Sequence, residues 1–247
     1  MKSKGKYIGL NQRVPFEVLD IAIQAFLENG SIERESILER MKTFTTGENR
    51  ASKASSYVLQ ILKRQNKILG EFKKAHSQIA YSDQKLEDRK AFCLCLISLT
   101  YPISFDLLVA LAQGFKVQPI INKKFISEKV MAIYGSNRTV DVAIDALLPM
   151  IIELQTLKRE KVSIYSIGSK LRITNKFIAE VVIFTDIKLS GSKSILLDDL
   201  SYKPWYSYFE LPELESMNFK FLISKKDSAI GKGYLTIYPQ SVSVQSR

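Results

Sequence analysis

Residues 50–81 constrain the chain most, because a segment with two opposed faces is followed there by a change of period. Over residues 51–69, Ala54, Val58, Ile61, Leu62, Ile68 and Leu69 recur at three- and four-residue spacing, which predicts a helix with one face in a core. At about 100° per residue, Lys53, Gln60, Arg64 and Lys67 fall on one line away from that stripe, with Lys63 beside it. Ser52, Ser55, Ser56 and Tyr57 crowd its N-terminal half with hydrogen-bonding groups. Residues 68–72 and 78–81 then read as short strands around the turn Lys73-Lys74-Ala75-His76-Ser77. A helix followed by a basic-tipped hairpin is how a winged helix ends. Taken alone, the lysine line is equally an ordinary solvated face.

The upstream segments supply the rest of such a unit. After a basic arm ending at Pro15, Phe16, Leu19, Ile23, Phe26 and Leu27 have helical spacing, and Asn29-Gly30 stops the helix. Ser31 is placed to cap a second helix, with Ile37, Leu38 and Met41 inward and Arg34, Arg40 and Lys42 outward. Three helices and a hairpin make a helix-turn-helix core with a wing, whose third helix enters the major groove.

Residues 83–88 are charged and read as a linker, so residues 1–82 are expected to form the first domain. Residues 91–113 predict a buried helical hairpin broken near Pro102, where a proline removes a donor and crowds the preceding turn. Residues 122–134 predict a helix with Phe125, Val130 and Ile133 inward and Lys123, Lys124 and Lys129 outward. Asn137, Arg138 and Thr139 open a further helix, where backbone N–H groups favour a phosphate. Pro149 kinks or restarts that helix, which extends to about residue 158. An alternating run over residues 161–167, the turn Gly168-Ser169-Lys170 and a return over 171–173 then predict a second basic hairpin, ringed by Lys158, Arg159, Lys161, Lys170 and Arg172. Residues 89–189 thus read as a helical middle with a second winged-helix-like unit. No sequence repeat of fixed period accompanies the two units.

The tail, residues 190–247, predicts a small β-rich appendage. Just before it, residues 175–187 fit a helix, but residues 181–184 also fit a buried strand, and periodicity does not decide between them. Tyr202, Trp205, Tyr206, Tyr208 and Phe209 are either the appendage's core or an interface anchor. The fold class expected is therefore mainly α with short β-hairpins: two winged-helix-like units and a β-rich C-terminal appendage.

Enzyme signatures are sparse. His76 is the single histidine, expected at a hairpin tip. Cys93-Leu94-Cys95 lacks a second ligand pair for zinc and reads as buried thiols. Gly168-Ser169-Lys170 and Gly191-Ser192-Lys193 lack the upstream glycine of a phosphate loop. The best catalytic signal is Asp186-Ile187-Lys188 after an apolar run, because a strand ending in acid-x-Lys is half of many Mg²⁺ nuclease sites; Glu160 and Glu180 are the candidates for a second acid.

Charge narrows the partners. Lys and Arg outnumber Asp and Glu by 36 to 25, for a net charge of +11, which favours a polyanion. No signal peptide or uninterrupted run of about 18 apolar residues is evident, so the expected location is the cytoplasm, with no membrane span.

Residues 49–167 resemble the BrxA-type small protein of bacterial phage-exclusion (BREX) defence islands. The resemblance rests on Ser52-Lys53 opening a helix that ends Leu62-Lys63-Arg64, and on Arg89-Lys90-Ala91 leading into a helical middle. It extends through Phe125, Glu128 and Lys129 to the Asn137-Arg138-Thr139 cap and a helix ending near Leu157. Residues 201–247 have no counterpart in that pattern. The resemblance implies a helical protein with winged-helix elements that binds DNA within a multi-protein antiviral defence system, with other subunits as partners; it does not imply catalysis.

The function expected is non-enzymatic binding of double-stranded DNA, mainly through phosphates, with no cofactor, metal or small-molecule substrate. The expected contacts are Arg50, Ser52, Lys53, Ser56, Gln60, Lys63, Arg64, Lys67, Lys73 and Lys74 in the first unit. In the second they are Lys123, Lys124, Asn137, Arg138, Thr139, Lys158, Arg159, Lys161, Lys170 and Arg172. RNA binding, an assembly role and an Mg²⁺-dependent nuclease using Asp186 and Lys188 are the rival readings.

Overall fold

Four helices open the chain: α1 (Phe16–Asn29), α2 (Arg34–Lys42), α3 (Glu48–Arg64) and α4 (Asn66–Ala75). They are drawn from a computed structural model that describes residues 7–76, 79–228 and 231–238. Gly30 ends α1 as expected, with a left-handed φ of 77° that lets its N–H reach the Phe26 carbonyl. Ser31 does not cap α2, which begins three residues later without a side-chain cap and buries Ile37 and Met41. The buried stripe of α3 is Ala51, Ala54, Ser55, Val58, Ile61 and Leu62.

The expected wing over residues 68–81 is not formed. Ile68, Leu69 and Phe72 lie at i, i+1 and i+4, so a helix buries all three on one face, and α4 does so. The long helix expected over residues 51–69 breaks at Gln65, whose amide donates to Thr100 Oγ1 at 3.1 Å. Residues 77 and 78 of the expected turn and return strand lie outside the described residues, and Tyr81–Asp83 is a 3-10 turn.

Pro102 turns α5 (Leu86–Thr100) into α6 (Ile103–Phe115) at 115°. The expected linker over residues 83–88 is instead part of the packed structure. Its last residue, Asp88, is buried in the first turn of α5 and accepts bonds from Thr174 N, Thr174 Oγ1 and Asn175 N at 2.9, 2.6 and 3.1 Å. There follow β1 (Ile120–Asn122), α7 (Lys123–Tyr134), α8 (Arg138–Glu153), β2 (Leu157–Lys161) and β3 (Ile164–Ile167). Within α7, Ile126, Val130 and Tyr134 are buried, whereas Ile133, expected inward, is exposed. Pro149 lies inside α8, which ends at Glu153 rather than near 158.

The second hairpin is real but displaced by one strand. Its turn is Val162-Ser163, with Ser163 at φ 59°, and its strands are β2 and β3. β1 adds antiparallel to β3, giving the order β1-β3-β2 with Ile121 opposite Tyr165. Gly168 is not the hairpin turn. Its N–H donates to Thr156 O, and an added Cβ would lie 2.1 Å from the Gln155 carbonyl, an approach only glycine permits.

After β4 (Leu171–Arg172), α9 (Lys176–Ser190) resolves the helix-or-strand ambiguity in favour of a helix capped by Asn175. From Phe177 to Ile187 every residue except Phe184 is buried, so the apolar run has no period to betray the helix. The tail then forms β5 (Ser194–Leu196), the 3-10 turns Leu197–Tyr202 and Pro204–Tyr208, β6 (Phe209–Glu210), β7 (Ile223–Lys226) and β8 (Tyr234–Ile237). β5, β8 and β7 make an antiparallel sheet in that order, while β4 and β6 pair in parallel.

The same chain order occurs twice. α6-β1-α7-α8-β2-β3 runs helix, strand, two helical segments, hairpin, and α9-β5-turn-turn-β6-β7-β8 follows the same order with β6, which pairs with β4, inserted before the last two strands; each three-stranded sheet is ordered first, third, second. In the second instance the two middle segments are 3-10 turns, and the second buries its aromatic side chains. Trp205 is fully buried, with its indole N–H on Val182 O at 3.0 Å, and the Tyr208 hydroxyl donates to Leu108 O at 2.7 Å. One continuous apolar cluster extends from Leu10 through α5 and α9 to Leu235, so the molecule is mainly helical around a single core. Among the described residues no single helix is long and apolar enough to cross a membrane; the bent pair α5–α6 has the composition, and both helices are largely buried in the core.

Candidate nucleic-acid interface

The outward side of α3 is set by what its inward side buries. Opposite Val58 stand Asn49, Lys53, Ser56, Gln60 and Lys63, and all but half-buried Gln60 are exposed. Arg34, the first residue of α2, lies across this side and donates to Ser52 Oγ at 2.8 Å and Ser56 Oγ at 3.5 Å. Arg34 was visible in the sequence only as a solvent-facing residue of the second helix. The packing of α2 on α3 brings it to residues 18 and 22 positions away. Arg50 extends the same surface beside Gln12, Arg13 and Phe44.

The C-terminal half of α3 is less free than the sequence implied. Gln60 accepts the Tyr101 hydroxyl at 2.6 Å, and Arg64 donates to Thr100 O at 3.2 Å with its guanidinium over the Tyr7 ring. The line Lys53-Gln60-Arg64-Lys67 therefore divides, with Lys53 outward and Gln60 and Arg64 docked against the α5–α6 corner. Lys73 and Lys74, expected at a hairpin tip, close the last turn of α4, and Lys74 pairs with Glu71 at 2.7 Å.

The second unit gathers its cations on the hairpin. Lys158, Arg159 and Lys161 of β2 are exposed around the Val162-Ser163 turn, with a bulge between Arg159 and Lys161. Lys170 and Arg172 lie past the hairpin, where Arg172 faces Glu210 at 3.6 Å. Lys123 is tied to Asp145 at 2.5 Å, and Lys124 is exposed. At the start of α8 the expected phosphate site is already in use, because Asn137 Oδ1 accepts Thr139 N at 2.9 Å and Val140 N at 3.2 Å. Arg138 and Thr139 are exposed there, but the outward side of α8 also carries Asp141 and Asp145. Asp145 is already paired with Lys123 and Asp141 offsets Arg138, so among the described residues the unpaired cations of this unit gather on the hairpin.

The two units are joined by α8 itself. Glu153, its last residue, accepts the Phe16 N–H at the start of α1 (3.0 Å) and pairs with Arg13 (2.8 Å). Lys90 donates to Gln155 at 2.7 Å next to the base of the hairpin.

The carboxylates considered for catalysis hold the structure together and do not converge. Asp186 and Lys188 lie on a helix rather than a strand end, about 200° apart around its axis. Asp186 is buried against Lys203 at 2.5 Å; burial raises its carboxyl above the ordinary value, outweighing the lowering by Lys203 and Tyr206. Glu180 accepts four backbone N–H groups from residues 220–223, and Glu160 is on β2, bonded to Ser166. His76 is not at a loop tip but stacks on Phe72 at 4.3 Å, with Nε2 2.7 Å from Asn175 Nδ2. Cys93 and Cys95 are buried free thiols, and burial pushes the Cys95 thiol up to about 12. Among the described residues no three His, Cys, Asp or Glu side chains are grouped to hold a metal.

No family model matches the chain, and no curated protein or solved structure is significantly similar to it.

Proposed function

We propose that the protein is a non-enzymatic double-stranded-DNA-binding protein in which α1-α2-α3 acts as a wingless helix-turn-helix and α6 to β3 acts as a winged helix. The observation that carries this reading is the outward side of α3, where Arg34, Lys53, Ser56 and Lys63 are exposed together and Arg50 stands on the flank. That helix spans roughly 25 Å and packs on α2, and in the proposed reading it takes the place of the third helix of a helix-turn-helix in a major groove. The winged assignment of the second unit draws on its helix-strand-helix-helix-strand-strand order, and the exposed Lys158, Arg159 and Lys161 of the hairpin are its phosphate contacts. The resemblance to BrxA-type proteins makes a cytoplasmic bacterial phage-defence assembly the proposed setting.

The test is a salt series with duplex DNA and duplex RNA of equal length. Tighter binding to DNA, with log K falling linearly in log salt, is expected. Equal or stronger binding to RNA favours the rival RNA reading. Mg²⁺-dependent cleavage that disappears in Asp186→Ala overturns the non-enzymatic reading.

A further inference from the structure

The end of α3 opens into a groove that the duplex-facing surface does not use. Tyr7, Arg64, Phe105, Tyr134 and Lys188 line it together with the α5–α6 corner, in a volume of about 420 Å³. Five parts of the chain meet there: the segment at Tyr7, the last turn of α3, the corner at Pro102, the end of α7 and the last turn of α9. Arg64 is held by Thr100 O with its guanidinium 5.4 Å from the centre of the Tyr7 ring, so a planar cation is already stacked on an aromatic face. Lys188 is exposed and has no ion pair among the described residues. The groove's carboxylate, Asp106, accepts the Tyr134 hydroxyl at 2.7 Å, so two cations stand against one engaged acid.

Flat aromatic and guanidinium surfaces stack on bases without regard to sequence, and a lysine beside them meets the phosphate. The groove has the volume for one nucleotide rather than for a duplex. It also adjoins the duplex-facing surface, since Lys63 immediately precedes Arg64 on α3. We propose that this groove takes an unpaired nucleotide of a single DNA strand leaving the duplex held by α3. The inference rests on the duplex-binding reading above and adds a preference for duplex ends or junctions over continuous duplex.

The experiment compares a blunt 20-base-pair duplex with the same duplex bearing a three-nucleotide overhang, 2-aminopurine standing at the first unpaired position. The overhang is expected to bind about tenfold more tightly, with quenched 2-aminopurine fluorescence. Tyr7→Ala and Lys188→Ala, both at exposed positions, are each expected to remove most of that gain and to leave the blunt-duplex affinity unchanged. Equal affinity for the two duplexes overturns the proposal, as does a gain that survives both variants. A free deoxynucleoside monophosphate bound as tightly as the overhang also overturns it, because the groove would then serve a small nucleotide. If the blunt duplex does not bind at all, the duplex reading falls by itself. The preference for duplex ends falls with it, and the single strand titrated alone then decides whether the groove takes an unpaired nucleotide: quenching that depends on Tyr7 and Lys188 upholds that part, and none overturns it.

Discussion

Replacing Glu180 by alanine tests how the tail is fastened to the helical body. The Glu180 side chain is buried on α9, and its two oxygens accept the N–H groups of Lys220, Phe221, Leu222 and Ile223 at 2.9, 3.1, 2.8 and 3.1 Å. Hydrogen bonds to a charged group contribute about 1.5–3 kcal/mol each, so simple addition would reach roughly 6–12 kcal/mol. Addition overstates the cost, because one carboxylate is removed once and the donors differ. Lys220 is exposed, and Phe221 and Leu222 are half-buried, so water satisfies much of what those three lose. Ile223 is fully buried and its N–H is stranded. The expected destabilisation is about 3–5 kcal/mol, a large part of a typical domain's stability. Glu180→Gln retains one acceptor oxygen but turns an NH₂ toward the same donors, and an intermediate loss is expected. Urea denaturation gives the free energy, and amide exchange of residues 220–223 shows whether the loss is local. A folded Glu180→Ala protein destabilised by less than about 1 kcal/mol, with those amides still protected, refutes the reasoning.

Further expectations follow from other buried groups. Trp205→Ala should cost about 3–5 kcal/mol through a large cavity and the loss of the Val182 bond, measured by the same denaturation. The wild-type tryptophan emission should be blue-shifted and resist acrylamide. For Asp186 the folded carboxyl titrates above its unfolded value, so its contribution is fully present below about 3.8 and is lost as pH rises through the folded value. The stability of wild type relative to Asp186→Asn should therefore improve as pH falls from 7, and an opposite trend in paired melts contradicts burial as the main cause. Cys93 and Cys95 should resist a thiol reagent until the protein is unfolded; rapid native labelling would contradict their burial.

What the sequence revealed depended on whether local pattern was enough. α1 with its Gly30 stop, the break at Pro102 and the Asn137 cap were all legible, because each is decided within a few residues of chain. Residues 68–72 misled because Ile68 and Phe72 are four apart, a spacing that suits an alternating strand as well as a helix; packing against α1 and α9 decides between them. The second hairpin was displaced because Gly168 looked like the turn, while the actual left-handed residue is Ser163, which carries no sequence mark. In the tail the parallel pairing of β4 with β6 joins residues far apart in the chain, beyond any periodicity argument. Of the proposed interface, the outward lysines of α3 were legible. The docking of Gln60 and Arg64 on the α5–α6 corner and the reach of Arg34 were not, since both depend on how separate helices pack.

The central claim is that the outward side of α3 holds duplex DNA through its cations. Fluorescence anisotropy with a duplex of about 25 base pairs across a salt series, wild type against Arg50→Ala with Lys53→Ala and Lys63→Ala, tests it most directly. Each lost phosphate contact lowers the slope of log K against log salt by about 0.9, so the triple variant should bind more weakly with a slope flatter by up to about 2.7. A folded triple variant with the affinity and slope of wild type would reduce this surface to a solvated helix face and contradict the claim.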